Sequence, residues 1–145
     1  MKLLIQRVTE ASVTVEGHVV GQIGRGLLIF LGIDRGDTEA IADLLLEKAL
    51  DYRVFSDAAG KMNLSVRERG LAVLLVSQFT LSADTRKGLR PSFSAAAPPE
   101  EAKRLYSYCL ERLESRHAPV ASGVFGADMK VMLINDGPVT FLLES

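Results

Sequence analysis

The sequence predicts an α+β fold in which a mainly antiparallel β-sheet, curled toward a barrel, packs against two main helices. Three observations predict it. Residues 3–23 alternate, are rich in Val and Ile, and are split by the turn-like Glu16-Gly17-His18, which reads as a hairpin. Two segments, residues 39–52 and 98–115, set apolar side chains at helical spacing. About seven strand-like segments, with hairpin patterns early and late in the chain, stand against only those two helices.

The elements follow in order. After the hairpin, Gly24-Arg25-Gly26 leads into LLIFLGI, a continuous apolar run suited to a strand buried on both faces. In EAIADLLLEKALDY, residues 39–52, Ile41, Leu44, Leu45, Ala49 and Tyr52 recur at helical spacing behind Asp37-Thr38, either of which can cap. RVFSD and a turn at Ala59-Gly60-Lys61 precede LAVLLVSQFTL, residues 71–81, which again reads as strand. Residues 82–99 lose all periodicity and carry Arg86, Lys87 and Arg90; a structureless stretch of that length in a compact domain is usually functional or disordered. Pro98 and Pro99 open the second helix, with Glu100 and Glu101 at its positive end, and His117-Ala118-Pro119 closes it. Residues 120–134 and 139–145 read as the last two strands.

Composition narrows the function classes. A chain of 145 residues is expected to form one domain, residues 1–145, and to bury roughly two-thirds of its unfolded surface. Hydrophobic residues make up 48% and charged residues 24%, which is globular composition. The formal net charge is −1, so a nucleic acid partner must be met by a local basic patch. One cysteine, Cys109, cannot form an internal disulfide. The first apolar run breaks at Gln6-Arg7, and no run reaches the ~20 apolar residues of a membrane helix. A soluble, cytoplasmic protein is the expectation.

The usual catalytic templates are missing. His18, His117 and Cys109 are scattered over a turn, a helix end and a helix face, so no metal site is expected. Neither histidine falls in an element that faces a serine, and there is no GxxxxGK[ST] or GxGxxG phosphate loop, so no cofactor is expected either. What remains is local. At Ser77-Gln78 a wholly apolar strand turns polar, either as plain edge residues or as a strand end offering N–H groups and hydroxyls to a ligand. Two glycines bracket Phe125 in GVFGADM, which marks a bulge or a close approach of something to the backbone. Arg86, Lys87 and Arg90 read either as a solvated loop or as a phosphate-contacting patch. Finally, Asp136-Gly137-Pro138 interrupts the terminal strand, and proline cannot donate to a ladder. The insertion is a turn, or its backbone is held for a purpose.

The pieces SQFTL, GLRPSF, GVFGADM and NDGPVT, in this order and spacing, closely resemble the motifs of the D-aminoacyl-tRNA deacylase family, and the likeness runs from KLLIQRVTEASV to the final strand. The resemblance implies the fold of that family and a homodimeric, metal-free hydrolase of the ester between a D-amino acid and the terminal adenosine of tRNA. It implies a catalytic pocket at Ser77, Gln78, Phe79 and Thr80. It also implies a Gly137-Pro138 peptide that is cis, enters the partner's pocket to reject L-amino acids, and is oriented by Arg7. Phe125, Gly126 and Met129 would then contact the terminal adenosine, and Arg86, Lys87 and Arg90 the acceptor-stem phosphates. Backbone N–H groups near Gln78 and Phe79 would stabilise the oxyanion, with Thr80 shaping the pocket and the RNA supplying an assisting hydroxyl. A pocket that works by excluding the L side chain should also accept glycyl-tRNA. The rival readings are an editing domain for L-amino acids and a catalytically idle RNA-binding module.

Overall fold

The structure, a computed structural model, describes residues 1–145. β1 (Lys2–Val15) and β2 (His18–Ile23) form the expected hairpin, closed by Glu16 and Gly17 at positive φ, 49° and 79°. These are the angles that a two-residue turn matched to strand twist requires. β3 (Gly26–Gly32) continues the line of β2 along the same edge of β1: Ala11 pairs with Ile23, and Val8 with Gly26. α1 (Glu39–Asp51) begins at Thr38, whose hydroxyl accepts the Ile41 N–H at 3.3 Å. A short hairpin, β4 (Phe55–Ser56) and β5 (Met62–Leu64), precedes β6 (Ala72–Ser77). α2 (Pro99–Arg116), β7 (Val120–Ser122) and β8 (Lys130–Glu144) complete the chain. No helix is long and apolar enough to cross a membrane.

The main sheet is mixed rather than mainly antiparallel, which corrects the sequence expectation. Along the order β2-β1-β3-β6-β7, with β8 on the other edge of β1, the pairs made by β1 are antiparallel, but β3–β6 and β6–β7 are parallel. The reason lies in the connections. The segments holding α1 and α2 carry the chain back across the sheet, so β6 runs in the same direction as β3, and β7 in the same direction as β6. The parallel strands bear the matching signature: Leu27, Leu28, Ile29 and Val73 to Val76 are all buried, as strands covered on both faces must be.

Two further boundaries move. The strand expected over residues 71–81 stops at Ser77, and residues 79–82 form a 3-10 turn. The last strands are not split at Asp136-Gly137-Pro138, because β8 runs through that motif. It does so by looping out: Gln6 pairs with Thr140 and Val8 with Asn135, so five steps of β8 pass two of β1 and three residues leave the ladder.

The core has two compartments. Leu3, Ile5, Ile29 and Leu75 meet Leu46, Leu50 and Leu105 between sheet and helices, while Val8, Ala11, Val13, Leu28, Leu74 and Val76 pack inside the curl of the sheet. Each such side chain contributes ~1.5–3 kcal/mol by leaving water. The curl nearly closes because β2 bends onto β7. Gly21 makes this possible, since a Cβ there would overlap the Ser122 carbonyl oxygen.

Gly21→Ala should therefore destabilise by ~1–3 kcal/mol through overpacking. Gly24→Ala, where a Cβ has nothing within 4 Å, should cost far less; urea unfolding of both variants checks this. Cys109 lies fully buried on α2, and burial pushes its thiol up to about 12. At pH 8 it stays protonated, so a thiol reagent should leave the native protein unmodified and label it only after denaturation.

Candidate active site

The end of β6 opens into a cleft of about 460 Å³, and its position follows from a single glycine. At the level of Ser77 the chain turns over β3, settling on Gly32. A Cβ at Gly32 would lie 2.8 Å from Leu81 Cβ and 3.3 Å from the Gln78 carbonyl oxygen. The 3-10 turn this allows places Ser77, Gln78 and Phe79 on one wall. Phe125, Gly126 and Met129 stand on another, so six of the sequence-predicted site residues meet in one cavity.

The second wall is a turn between β7 and β8, so the strand expected over residues 120–134 is broken at residues 123–129 and GVFGADM is not a bulge within it. Gly126 holds φ at +75°, a conformation that favours glycine. Tyr106 of α2 anchors the turn from below. Its hydroxyl is 3.2 Å from the Leu75 carbonyl and 3.5 Å from that of Gly123, and its ring centroid is 5.7 Å from that of Phe125. Burial pushes the Tyr106 phenol up to about 12, so it remains a donor.

The polar wall differs from expectation in one respect. The Gln78 N–H is already used, donating to the Leu31 carbonyl at 2.8 Å. Phe79 and Thr80 begin the 3-10 turn, where N–H groups have no acceptor within the turn. Phe79 lines the cleft, whereas Thr80 is exposed and, unlike the other three predicted catalytic residues, is not among its lining residues. The Phe79 N–H, and not that of Gln78, is the free backbone donor on this wall. The Gln78 side-chain amide donates to Thr80 Oγ1 at 2.5 Å, so the threonine hydroxyl faces a donor and no base. Asp128 is the only titratable residue lining the cleft, and it pairs with Lys130 at 3.0 Å. His18 contacts the Glu16 carbonyl in its turn, and His117 the Leu71 carbonyl below the sheet; neither borders the cleft. No group of three or more His, Cys, Asp or Glu side chains comes close enough to hold a metal ion.

Residues 83–98, the middle of the stretch without periodicity, form the rim. The backbones of Asp84 and Ser92 bond to each other at 2.7 and 3.0 Å, Ala97 N–H donates to the Ile33 carbonyl, and Phe93 packs on Phe79 with ring centroids 5.1 Å apart. Arg86, Lys87 and Arg90 occupy the exposed tip. Arg86 is not free, because its guanidinium forks onto Asp84 at 2.7 and 2.9 Å and holds that carboxyl far below the usual carboxylate range. The cleft floor, Ile33, Ala96, Ala97 and Ala102, escaped the sequence reading. Its one signal was the run Ala95-Ala96-Ala97, small side chains that leave room.

Gly137, Pro138 and Arg7 are not part of this cavity. Val131 of β8 lines it, but Gly137 lies six residues further on, roughly 15–20 Å away along a strand. The Gly137-Pro138 peptide is cis, and both residues are exposed. Arg7 grips the residue before them. Its Nε donates to the Asp136 carbonyl at 2.9 Å and pairs with the Asp136 carboxylate at 3.2 Å, while Nη1 donates to the Val54 carbonyl at 2.6 Å.

Comparison with known proteins bears on this arrangement. The family model described as D-Tyr-tRNA(Tyr) deacylase matches residues 4–144. The D-aminoacyl-tRNA deacylase of Stutzerimonas stutzeri is 60% identical over 145 residues, covering 100% of both chains. That of Cellvibrio japonicus is 59% identical over 141 residues, 97% of each. Among solved structures, a c-Myc DNA Unwinding Element Binding Protein superposes with a TM-score of 0.96 at 44% identity, covering 100% of this chain and 99% of the other. A probable eukaryotic D-amino acid tRNA deacylase shares the fold, with a TM-score of 0.80 at 17% identity over 98% and 97% of the two chains. With a family model that spans nearly its whole length and relatives this similar, the chain belongs to the D-Tyr-tRNA(Tyr) deacylase family.

Proposed function

We propose that this chain hydrolyses the ester bond of D-aminoacyl-tRNA in the cytoplasm, and that a second copy of the chain completes its cleft. The observation that carries the mechanism is the wall ending at Phe79, where the 3-10 turn begins with a free N–H and the neighbouring Thr80 hydroxyl meets a donor and no base. That suits an ester, which is already activated: positioning and stabilisation of the oxyanion supply most of what the reaction needs. Water attacks the ester carbonyl, and the charge on its oxygen is met by the Phe79 N–H at the start of the 3-10 turn. The intermediate collapses by breaking the C–O bond to the ribose, whose oxygen takes up the proton released by the water. Free D-amino acid and tRNA result. The neighbouring ribose hydroxyl orients or activates the water. Ser77, Gln78 and the Thr80 side chain shape the pocket.

Phe125, Gly126 and Met129 receive the terminal adenine, with the Phe125 face available for stacking, worth ~1–3 kcal/mol. Lys87 and Arg90 meet backbone phosphates, and Arg86 joins them only by leaving Asp84.

Support for the second copy comes from β8. It pairs on one edge alone, with β1, and it exposes Met132, Ile134 and Leu142 by about half their surface. A long, apolar, unpaired edge strand is what soluble proteins normally cover. The exposed Gly137 and Pro138 project from this same strand, far from their own cleft. In a homodimer their carbonyls hold the substrate amino group in the partner's cleft and leave no space where an L side chain must point. Glycine has no side chain to exclude, so chirality is enforced and glycyl esters are accepted.

Purified protein without added metal should release tyrosine from D-tyrosyl-tRNA and leave L-tyrosyl-tRNA intact. Equal loss of both esters overturns the selectivity, and loss of neither overturns the activity. Thr80→Ala keeps the backbone donor and should retain kcat within about tenfold, short of the ~10²–10⁴ that a general base contributes. Glycyl-tRNA should be cleared under the same conditions.

A further inference from the structure

The looped-out segment of β8 is held from two sides, and only one hold involves charge. Arg7 fixes Asp136. The other hold is Asn135, the last residue to pair before the excursion. Its amide nitrogen donates to the Arg7 carbonyl on β1 and to the Val139 carbonyl, where β8 rejoins the core, both at 3.0 Å. Its Oδ1 sits directly beneath Gly137, 2.7 Å from where a Cβ would stand. One side chain thus bridges the start and finish of the excursion, ties both to the central strand and forms the floor under its glycine. Val139 is buried, so the far anchor does not move.

We propose that Asn135 is a positioning residue for stereochemical discrimination: it keeps the Gly137 and Pro138 carbonyls at a fixed height above the strand, so that the gap they leave admits only one configuration. This rests on the reading of Gly137-Pro138 as the selector. A selector that works by exclusion is only as sharp as it is stiff, because outward motion of the carbonyls opens the space an L side chain needs. Arg7 cannot supply that stiffness alone, since its contacts stop at Asp136 and Val54. Asn135 reaches the other end. The two amide hydrogens serve two separate carbonyls, a task for which a carboxylate is unsuited because it only accepts.

The test compares Asn135→Ala, Asn135→Asp and Pro138→Ala with the wild type, measuring kcat/KM on D- and L-tyrosyl-tRNA, thermal unfolding, and amide exchange at Asp136, Gly137 and Val139. Loss of two hydrogen bonds should lower the D/L ratio of N135A by about tenfold. The change should come mainly from the appearance of L-tyrosyl release, with faster exchange at those three amides and unchanged exchange in β3. N135D should lower the ratio at least as far, and it is read in place of N135A if the latter fails to fold. A merely structural role would depress both substrates together with the melting temperature and leave the ratio alone. An unchanged ratio in N135A and N135D, with a collapsed ratio in P138A, overturns the role of Asn135. An unchanged ratio in P138A overturns the selector reading, and this inference with it.

Discussion

The pairing of β8 with β1 over both halves of its length is the constraint on which the rest of the structure depends. β1 is bonded along one edge to β2 and β3 and along the other to β8, from Lys2–Glu144 at one end to Thr14–Lys130 at the other. Because both halves of β8 are locked in register, the three surplus residues between them cannot be absorbed and must leave the ladder at one place. A strand fixed at both ends is a stiff mount for a short loop. The same pairing leaves the outer edge of β8 unpaired and apolar, so the strand that presents the loop also presents the surface a second chain would cover.

The cleft follows a similar economy. β6 is buried on both faces until Ser77, and Gly32 on the neighbouring strand lets the chain fold over immediately after it. A strand that ends there frees the first N–H groups of the following turn, which is how irregular backbone at the edge of a rigid sheet becomes a binding wall. On the proposed mechanism, catalysis draws its advantage from donors that need no reorganisation when charge develops. It also explains why the chain can lack a histidine beside its threonine and remain a hydrolase of an activated ester.

Much of the fold was legible because its signals are local. The Glu16-Gly17 turn, the Thr38 cap and the proline start of α2 are each written within a few residues, and each forms as expected. The direction of β6 and β7 was not, because parallel pairing depends on where two crossovers return the chain, although the unbroken apolar runs of β3 and β6 carried its mark. In the site, Ser77, Gln78, Phe79, Phe125, Gly126 and Met129, drawn from separate motifs, line one cleft, while Thr80, Gly137, Pro138 and Arg7 lie outside it. Partners found across the sheet stayed hidden: no sequence pattern reveals that Leu31 consumes the Gln78 N–H. The Asp84–Arg86 pair was readable at a spacing of two residues, yet a count of basic residues passed over it.

The central claim is that the β8 loop of one chain completes the cleft of another, and mixed dimers test it most directly. A chain with a filled cleft, Ala97→Trp, is inert but keeps its loop; a chain with Pro138→Ala keeps its cleft but loses discrimination. The measurement is the D/L ratio of tyrosyl-tRNA hydrolysis by the isolated hybrid of the two. The account predicts that the one working cleft, served by the intact loop of the inert partner, regains the selectivity of the wild type. A hybrid as unselective as the Pro138→Ala homodimer would contradict it.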